Sequence, residues 1–143
     1  MKRPFMRCGS VATIALTMLL LAACMAAPRT PLATEPRKVT MLTPQELQQW
    51  LEAKDFVLIN VHVPLEAEIP GTDAFIPYDE IEEHVDLLPA DKQTKIVIYC
   101  RSGGMTVPAG SMLLSMGYTN LYELEGGFNA WQAAGYDLVK HLS

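Results

Sequence analysis

The stretch KIVIYCRSGGMTVPAGSMLLSMGY, residues 95–118, decides the fold of this chain. It opens with a nearly continuous apolar run over residues 95–100, which is typical of a strand buried on both faces of a sheet. A short glycine-containing loop follows, and residues 107–118 then predict a helix that stops at Gly117. A buried strand that runs through such a loop into a helix indicates one unit of an α/β domain.

A helix is also predicted upstream of this unit, over residues 43–54. Thr43 is its expected N-cap, Pro44 lies in its first turn, and Glu46 completes a capping box with the threonine. The next apolar run, FVLINVH at residues 56–62, again has the composition of a strand buried on both sides. Helix and strand therefore alternate on this side of the central unit as well.

Acidic residues alternate with apolar ones over residues 78–89, where we predict a helix with Ile81, Val85 and Leu88 facing inward. Two further elements are predicted after the central unit: a strand over 120–127 and a helix over 128–136. This alternation predicts an α/β fold with an open parallel sheet, flanked by helices on both faces. Ligands of such sheets bind beyond the carboxyl ends of the strands, where Cys100 lies.

The first part of the chain has the order of regions found in an export signal. Lys2, Arg3 and Arg7 precede an uncharged stretch, whose most apolar part covers residues 11–21. That part has the length of a signal-peptide core and is short for a membrane span. The tetrapeptide Leu21-Ala22-Ala23-Cys24 ends it.

This tetrapeptide resembles the lipobox of bacterial lipoproteins, which implies a signal peptide over residues 1–23 and a lipid on Cys24. Residues 24–38, rich in proline and without hydrophobic periodicity, then form the lipidated cysteine and a flexible tether before a domain over 39–143. The protein is expected to be exported and lipid-anchored in the bacterial cell envelope, on the periplasmic face of the outer membrane. Met25 gives no inner-membrane retention signal. An ordinary cleaved signal and an uncleaved anchor helix are the alternatives.

The charge balance argues against nucleic acid as a partner. The chain has a formal charge of −5, and removal of residues 1–23 leaves 8 of its 11 basic side chains against 16 acidic ones, a charge of −8. Such a surface repels phosphate backbones and anionic lipid. Contact with a membrane is therefore expected through the N-terminal lipid only.

The cysteines leave a single free thiol in the exported domain. Cys8 lies in the signal peptide and Cys24 would be lipidated, so Cys100 has no partner for an intramolecular disulfide. A leftover thiol in an oxidising compartment can be reactive. The alternative is an inert buried cysteine of the core.

The loop after Cys100 has the features of an anion-binding turn. Gly103 and Gly104 allow the backbone amides to approach a ligand, and a helix begins near Thr106. Amides and helix dipole together favour a nucleophilic thiolate at Cys100. Arg101 is the only Lys or Arg between residues 95 and 140, which suggests an anionic substrate or leaving group.

Four stretches of the chain resemble, in the same order, the motifs of a rhodanese domain. They are the second strand VLINVH (57–62), the connecting loop IPGTDAFIPYDEI (69–81), the active-site loop YCRSGGMT (99–106) and the C-terminal signature LYELEGGFNAW (121–131). The resemblance covers roughly residues 39–136. It implies a single-domain rhodanese, similar to thiosulfate sulfurtransferases.

This resemblance implies that Cys100 takes sulfane sulfur from thiosulfate, a polysulfide or a protein donor and holds it as a persulfide. A thiol, cyanide or a protein acceptor would then remove the sulfur, with no metal and no organic cofactor. Backbone amides would stabilise the negative charge, much as an oxyanion hole does. The implied substrate-binding loop consists of Arg101, Ser102, Gly103, Gly104, Met105 and Thr106.

The chain departs from the family pattern near the expected site. The second strand of the family usually ends Asp-Val-Arg, a pair that braces the connecting loop, whereas this chain has Asn60-Val61-His62. Ala67-Glu68 replace a usual Gly-His, and Met105 stands where many single-domain relatives have arginine. The lower positive charge favours a donor that is less charged than thiosulfate, or one that is bound to a protein.

Other functions compete with this interpretation. Cysteine phosphatases and arsenate reductases use Cys-x5-Arg, but the seventh loop position here is Thr106. A low-turnover persulfide carrier or a non-catalytic binding module is the main alternative. A thioredoxin-like role is disfavoured because no second cysteine lies near Cys100.

The histidines do not suggest a metal site. His62, His84 and His141 are dispersed and, with one thiol, match no zinc spacing. His62 matches a bracing residue and is expected to be structural, although a role as proton donor is the alternative. His84 and His141 are expected at the solvated surface.

Overall fold

The computed structural model describes residues 38–141. The predicted signal peptide, the lipidation site Cys24, all of the tether except Lys38, and residues 142–143 lie outside this range. The α-helices and β-strands of this range are, in chain order, β1 (Thr40–Leu42), α1 (Pro44–Glu52), β2 (Val57–Asn60), β3 (Ala67–Glu68), β4 (Ala74–Phe75), β5 (Ile96–Tyr99), α2 (Thr106–Ser115), β6 (Leu121–Leu124), α3 (Gly127–Ala133) and β7 (Val139–Lys140).

The main sheet has five strands in the order β1-β6-β5-β2-β4, and every neighbouring pair is parallel. The predicted α/β fold with an open parallel sheet is thereby confirmed. β5 is the central strand, and it pairs with β2 from Val57↔Ile96 to Asn60↔Tyr99. A separate antiparallel pair joins β3 to β7.

Alternate residues of the sheet belong to two hydrophobic cores, one on each face. On one face Ile96, Ile98 and Cys100 pack with residues of α2, including Leu113. On the other face the core contains residues of α1 and α3 together with Leu58, Phe56, Val97 and Tyr99. Helices therefore cover both faces, and Cys100 lies on the α2 side of the sheet.

The predicted capping box of α1 is present. The Glu46 backbone N–H donates to Thr43 Oγ1 at 3.3 Å, and the Thr43 N–H donates to the Glu46 carboxylate at 2.9 Å. The Thr43 backbone N–H and the Thr43 hydroxyl both donate to the Glu46 carboxylate, and these two hydrogen bonds lower the pKa of Glu46. The helix ends at Glu52, slightly before the predicted boundary at residue 54.

The prediction of a helix over residues 78–89 is wrong. The segment consists of turns and one short 3₁₀ helix at Val85–Leu87, with hydrogen bonds such as Glu83 N–H to the Glu80 carbonyl. Prolines close both ends of the segment, and its like charges disfavour a continuous helix. Ile81 and Leu88 are buried as predicted, whereas Val85 is 52% exposed.

The remaining predicted helices and strands are present, but they begin or end at other residues than predicted. β5 ends at Tyr99, so Cys100 is the first residue of the loop and not the last residue of the strand. α3 begins at Gly127 and ends at Ala133, which moves the predicted helix toward the N-terminus. Across residues 38–141, none of the helices is both long and apolar enough to span a bilayer.

Candidate functional site

The site lies at the carboxyl end of the central strand. The Val61 backbone N–H donates to the Tyr99 carbonyl at 2.8 Å, which extends the pairing of β2 with β5 up to Cys100. Cys100 follows directly and is only 1% exposed. The nucleophile predicted from the sequence is therefore held at the edge where parallel sheets bind their ligands.

The loop curls back over the cysteine sulfur. The Gly103 N–H donates to Cys100 Sγ at 3.0 Å, with Gly103 at a φ of 100°, which favours glycine. The Thr106 hydroxyl then donates to the Gly103 carbonyl at 2.6 Å. Thr106 is fully buried at the start of α2. Its hydroxyl therefore holds Gly103 in place through the carbonyl of that residue, while the N–H of the same residue faces the thiol.

α3 holds the other side of the same loop. The Phe128 N–H donates to the Cys100 carbonyl at 2.9 Å, and the Asn129 N–H donates to the Arg101 carbonyl at 3.1 Å. Gly127, with a φ of 60°, packs directly on this backbone. The sequence places these residues in a C-terminal signature but does not show that they clamp the loop. The paired glycines Gly126-Gly127 were the available signal.

The other predicted loop residues form the rim of the site. Arg101, Ser102 and Gly104 are exposed, whereas Met105 is half-buried and packs against the core on the α2 side. The Arg101 guanidinium lies 3.4 Å from a carboxylate oxygen of Glu66, a residue that sequence analysis did not single out. The sequence predicted the cation but gave no sign of this partner, since the two residues are far apart in the chain.

Asn60, the last residue of β2, braces the segment that precedes the connecting loop. The Asn60 side-chain amide donates to the Ala67 carbonyl at 3.1 Å, and its oxygen accepts from the His62 backbone N–H at 3.0 Å. His62 is 6% exposed, and its ring packs edge-to-face on Phe128 with centroids 5.5 Å apart. In the described part of the chain, neither ring nitrogen of His62 has a hydrogen-bond partner.

The other histidines lie away from the cysteine loop. His84 is half-buried and pairs with Glu80 at 3.3 Å, whereas His141 is exposed and bonds Glu68 at 2.8 Å. Within residues 38–141, no group of three or more His, Cys, Asp or Glu side chains converges as a metal site would require.

Tyr99 adds a second brace that sequence analysis missed. Its hydroxyl accepts from the Ile69 backbone N–H at 3.0 Å and lies 2.7 Å from the hydroxyl of Thr72. Burial raises the pKa of Tyr99 to about 12. A tyrosine in an otherwise aliphatic buried strand could have indicated this network, because a buried phenol requires a hydrogen-bond partner.

Comparison with known proteins identifies the family. The model of the rhodanese-like domain matches residues 43–134, which is more than half of the chain. The chain belongs to the rhodanese-like domain family. This rhodanese domain is 32% identical over 94 residues to a sulfurtransferase of Allochromatium vinosum and covers 86% of that protein. It is 30% identical over 97 residues to the thiosulfate sulfurtransferase GlpE of Pseudoalteromonas translucida and again covers 86% of it.

Larger relatives contain such a domain as one part. The chain is 29% identical over 102 residues to a Mycobacterium tuberculosis protein named "Probable adenylyltransferase/sulfurtransferase MoeZ", but it spans only 26% of that protein. Among solved structures, the rhodanese-like domain of an Anabaena protein superposes with a TM-score of 0.63 at 23% identity, over 73% of this chain and 81% of that one. This likeness supports the fold.

The fold alone does not select the chemistry. A Rhodopseudomonas palustris protein described as a possible tyrosine phosphatase has a TM-score of 0.59 and 24% identity, with 70% of this chain and 84% of that one covered. The residues of the cysteine loop must therefore carry the functional argument.

Proposed function

We propose that this rhodanese domain is a sulfurtransferase that moves sulfane sulfur through a persulfide on Cys100. The Cys100 thiolate attacks the outer sulfur of the donor, the donor's sulfur–sulfur bond breaks, and the remainder leaves as an anion, which is sulfite when the donor is thiosulfate. An acceptor thiol or cyanide then takes the outer sulfur and regenerates the thiolate. The observation that carries this proposal is the Gly103 N–H, which lies 3.0 Å from Cys100 Sγ.

The local geometry suits a negatively charged sulfur. A backbone N–H fixed by the Thr106 bond needs little reorganisation when charge develops on the sulfur. The clamp by α3 turns the carbonyls of Cys100 and Arg101 toward the amides of Phe128 and Asn129. These two carbonyl groups, whose dipoles would repel an anion, thus accept hydrogen bonds from α3.

We assign binding of the donor to the loop from Arg101 to Thr106. Arg101 and Ser102 are exposed at its start, and Gly104 leaves open space beside the backbone. Met105 contributes no charge where many relatives have arginine. A singly charged donor or a protein-bound persulfide therefore suits the site better than a doubly charged donor.

Phosphate chemistry fits the loop less well. The position that supplies the arginine of cysteine phosphatases is Thr106, whose buried hydroxyl already donates to Gly103. No guanidinium at that position can clamp a phosphoryl group. Hydrolysis of an aryl phosphate that disappears in Cys100→Ser would support the phosphatase instead.

Intact-mass spectrometry tests the proposed function directly. The purified chain is exposed briefly to thiosulfate or polysulfide, with Cys100→Ser as the matched control. We expect a gain of one sulfur atom in the wild type, which cyanide reverses and which the variant lacks. Absence of an adduct with every donor would leave the binding-module alternative. Loading without subsequent turnover would indicate a persulfide carrier.

We further propose that the protein is exported and anchored through a lipid on Cys24, at the periplasmic face of the outer membrane. The support is the order of basic, apolar and lipobox-like regions in residues 1–24. Intact mass of the protein extracted from membranes should match a chain that starts at Cys24 and carries acyl groups. A mass that retains residues 1–23 would contradict the proposal.

A further inference from the structure

We infer that Glu66 sets the donor specificity of this site by opposing doubly charged sulfur donors. The inference rests on the proposed sulfurtransferase function and names a residue outside the cysteine loop that controls which donors are used. It starts from the Glu66 carboxylate, of which one oxygen lies 3.4 Å from a guanidinium nitrogen of Arg101. Arg101 immediately follows the cysteine and is the only Lys or Arg between residues 95 and 140.

The backbone around Glu66 is tied down on both sides. The His141 N–H donates to the Glu66 carbonyl at 3.0 Å, immediately beside the pairing of β3 with β7. The next residue, Ala67, accepts the hydrogen bond from the Asn60 side chain. The carboxylate is therefore positioned by the fold, although its side chain is 41% exposed.

The buried His62 ring faces the second carboxylate oxygen. His62 Nε2 lies 3.6 Å from Glu66 Oε2, beyond hydrogen-bonding distance, and both ring nitrogens lack a partner among residues 38–141. A small shift of Glu66 would satisfy the imidazole. The Glu66 carboxylate thus has Arg101 beside one oxygen and His62 beside the other.

A cleft of about 280 Å³ lies where these groups meet, lined by Glu66, Arg101, Phe128, Asn129, Gln132 and Lys140, among others. Its charged groups are two cations and one carboxylate. Glu66 therefore lowers the formal charge of this cleft beside Arg101 from +2 to +1. Because repulsion between point charges scales with their product, this carboxylate opposes a dianion twice as strongly as a monoanion.

A comparison of two donors, both of which transfer a sulfane sulfur, separates the repulsion by Glu66 from a general change in the reactivity of Cys100. Thiosulfate carries two negative charges and releases sulfite, whereas benzenethiosulfonate carries one and releases benzenesulfinate. At low salt, we expect Glu66→Gln to raise kcat/KM for thiosulfate by roughly three- to tenfold and for benzenethiosulfonate by about two- to threefold. The difference between the donors should shrink as salt is added.

The control changes the same charge at the opposite end of the sheet. Glu52 is exposed at the last turn of α1, which runs back from the carboxyl end of β1, and Glu52→Gln should change neither rate. Glu66→Ala provides a second variant with the same expected ratio between donors. Equal factors for both donors, or no change in either Glu66 variant while Cys100 still loads sulfur, would overturn the inference. A wild-type protein that loads no sulfur from any donor would instead overturn the proposed function, and this inference with it.

Discussion

Gly127 lies so close to Cys100 that a Cβ atom at position 127 would stand 2.2 Å from the Cys100 carbonyl oxygen. The same atom would lie 2.6 Å from the carbonyl carbon of Arg101. The first residue of α3 and the first peptides of the cysteine loop are therefore in direct backbone contact. Any side chain at this position separates the helix from the loop.

Gly127→Ala should lower the free energy of unfolding by about 2–5 kcal/mol, because it adds overpacking against backbone to the cost of a left-handed φ. Gly135→Ala is the matched control, since Gly135 has a φ of +90° but no atom within 4 Å of its Cβ position. That control should cost only about 1–2 kcal/mol. Urea unfolding measures both, and equal losses would show that the contact with Cys100 is unimportant.

Thr106→Val should slow persulfide formation by roughly 5- to 30-fold, the rate equivalent of losing about 1–2 kcal/mol in one buried hydrogen bond. Valine keeps the shape of threonine but cannot donate to the Gly103 carbonyl, so the Gly103 amide is no longer fixed beside the sulfur. Thr106→Ser retains the hydroxyl and should stay within a few-fold of the wild type. The measurement is the rate of mass gain after mixing with polysulfide. Similar rates for valine and serine would argue against the role of this bond.

Asn60→Asp should destabilise the domain by roughly 2–4 kcal/mol at neutral pH, because a buried carboxylate would face the Ala67 carbonyl in place of an N–H donor. The loss should shrink as pH falls, since a protonated aspartate can donate to that carbonyl again. Asn60→Ala serves as the control and should show no such recovery. Chemical unfolding at several pH values tests this, and a pH-independent loss for the aspartate would contradict it.

Tyr99→Phe should be less stable than the wild type at pH 8, because the Ile69 N–H loses its acceptor. Burial raises the pKa of Tyr99 from 10.0 to about 12, so its stabilising effect is complete below pH 10 and is lost as pH rises from 10 to 12. The difference between the two proteins should therefore narrow by about 2 kcal/mol over that range. Lysine titration affects both proteins and cancels in the comparison. A constant difference would contradict the assignment.

The fold could be predicted because the buried strands are continuous apolar runs and the α1 cap uses local residues. Thr43 and Glu46 are three positions apart, so their reciprocal hydrogen bonds can be predicted from their spacing alone. The helix predicted over residues 78–89 does not form, because the spacing of its apolar residues is outweighed by other local features. Ile81 and Leu88 have helical spacing, but Pro77 and Pro89 and the surrounding like charges favour turns.

The cysteine loop could be predicted in outline, but its supports could not. Gly103 lies three positions after Cys100, and a glycine-containing turn after a strand limits where the amides can point. The clamp joins residues 100 and 128, and the pairing of Glu66 with Arg101 joins a loop after β2 to a loop after β5. Such contacts depend on how the helices and strands pack against each other. The sequence pattern within one helix or strand does not determine this packing.

Because α3 holds the cysteine loop, the site can form only after α3 has been synthesised. A ribosome makes Cys100 before it makes Phe128 and Asn129, whose amides hold the Cys100 and Arg101 carbonyls. We expect a chain that stops at Glu125 to carry a thiol without the geometry of the finished loop, and uptake of sulfur by such a chain at the full rate would contradict this. On the proposed function, we therefore expect Cys100 to react as an ordinary cysteine until α3 has been synthesised.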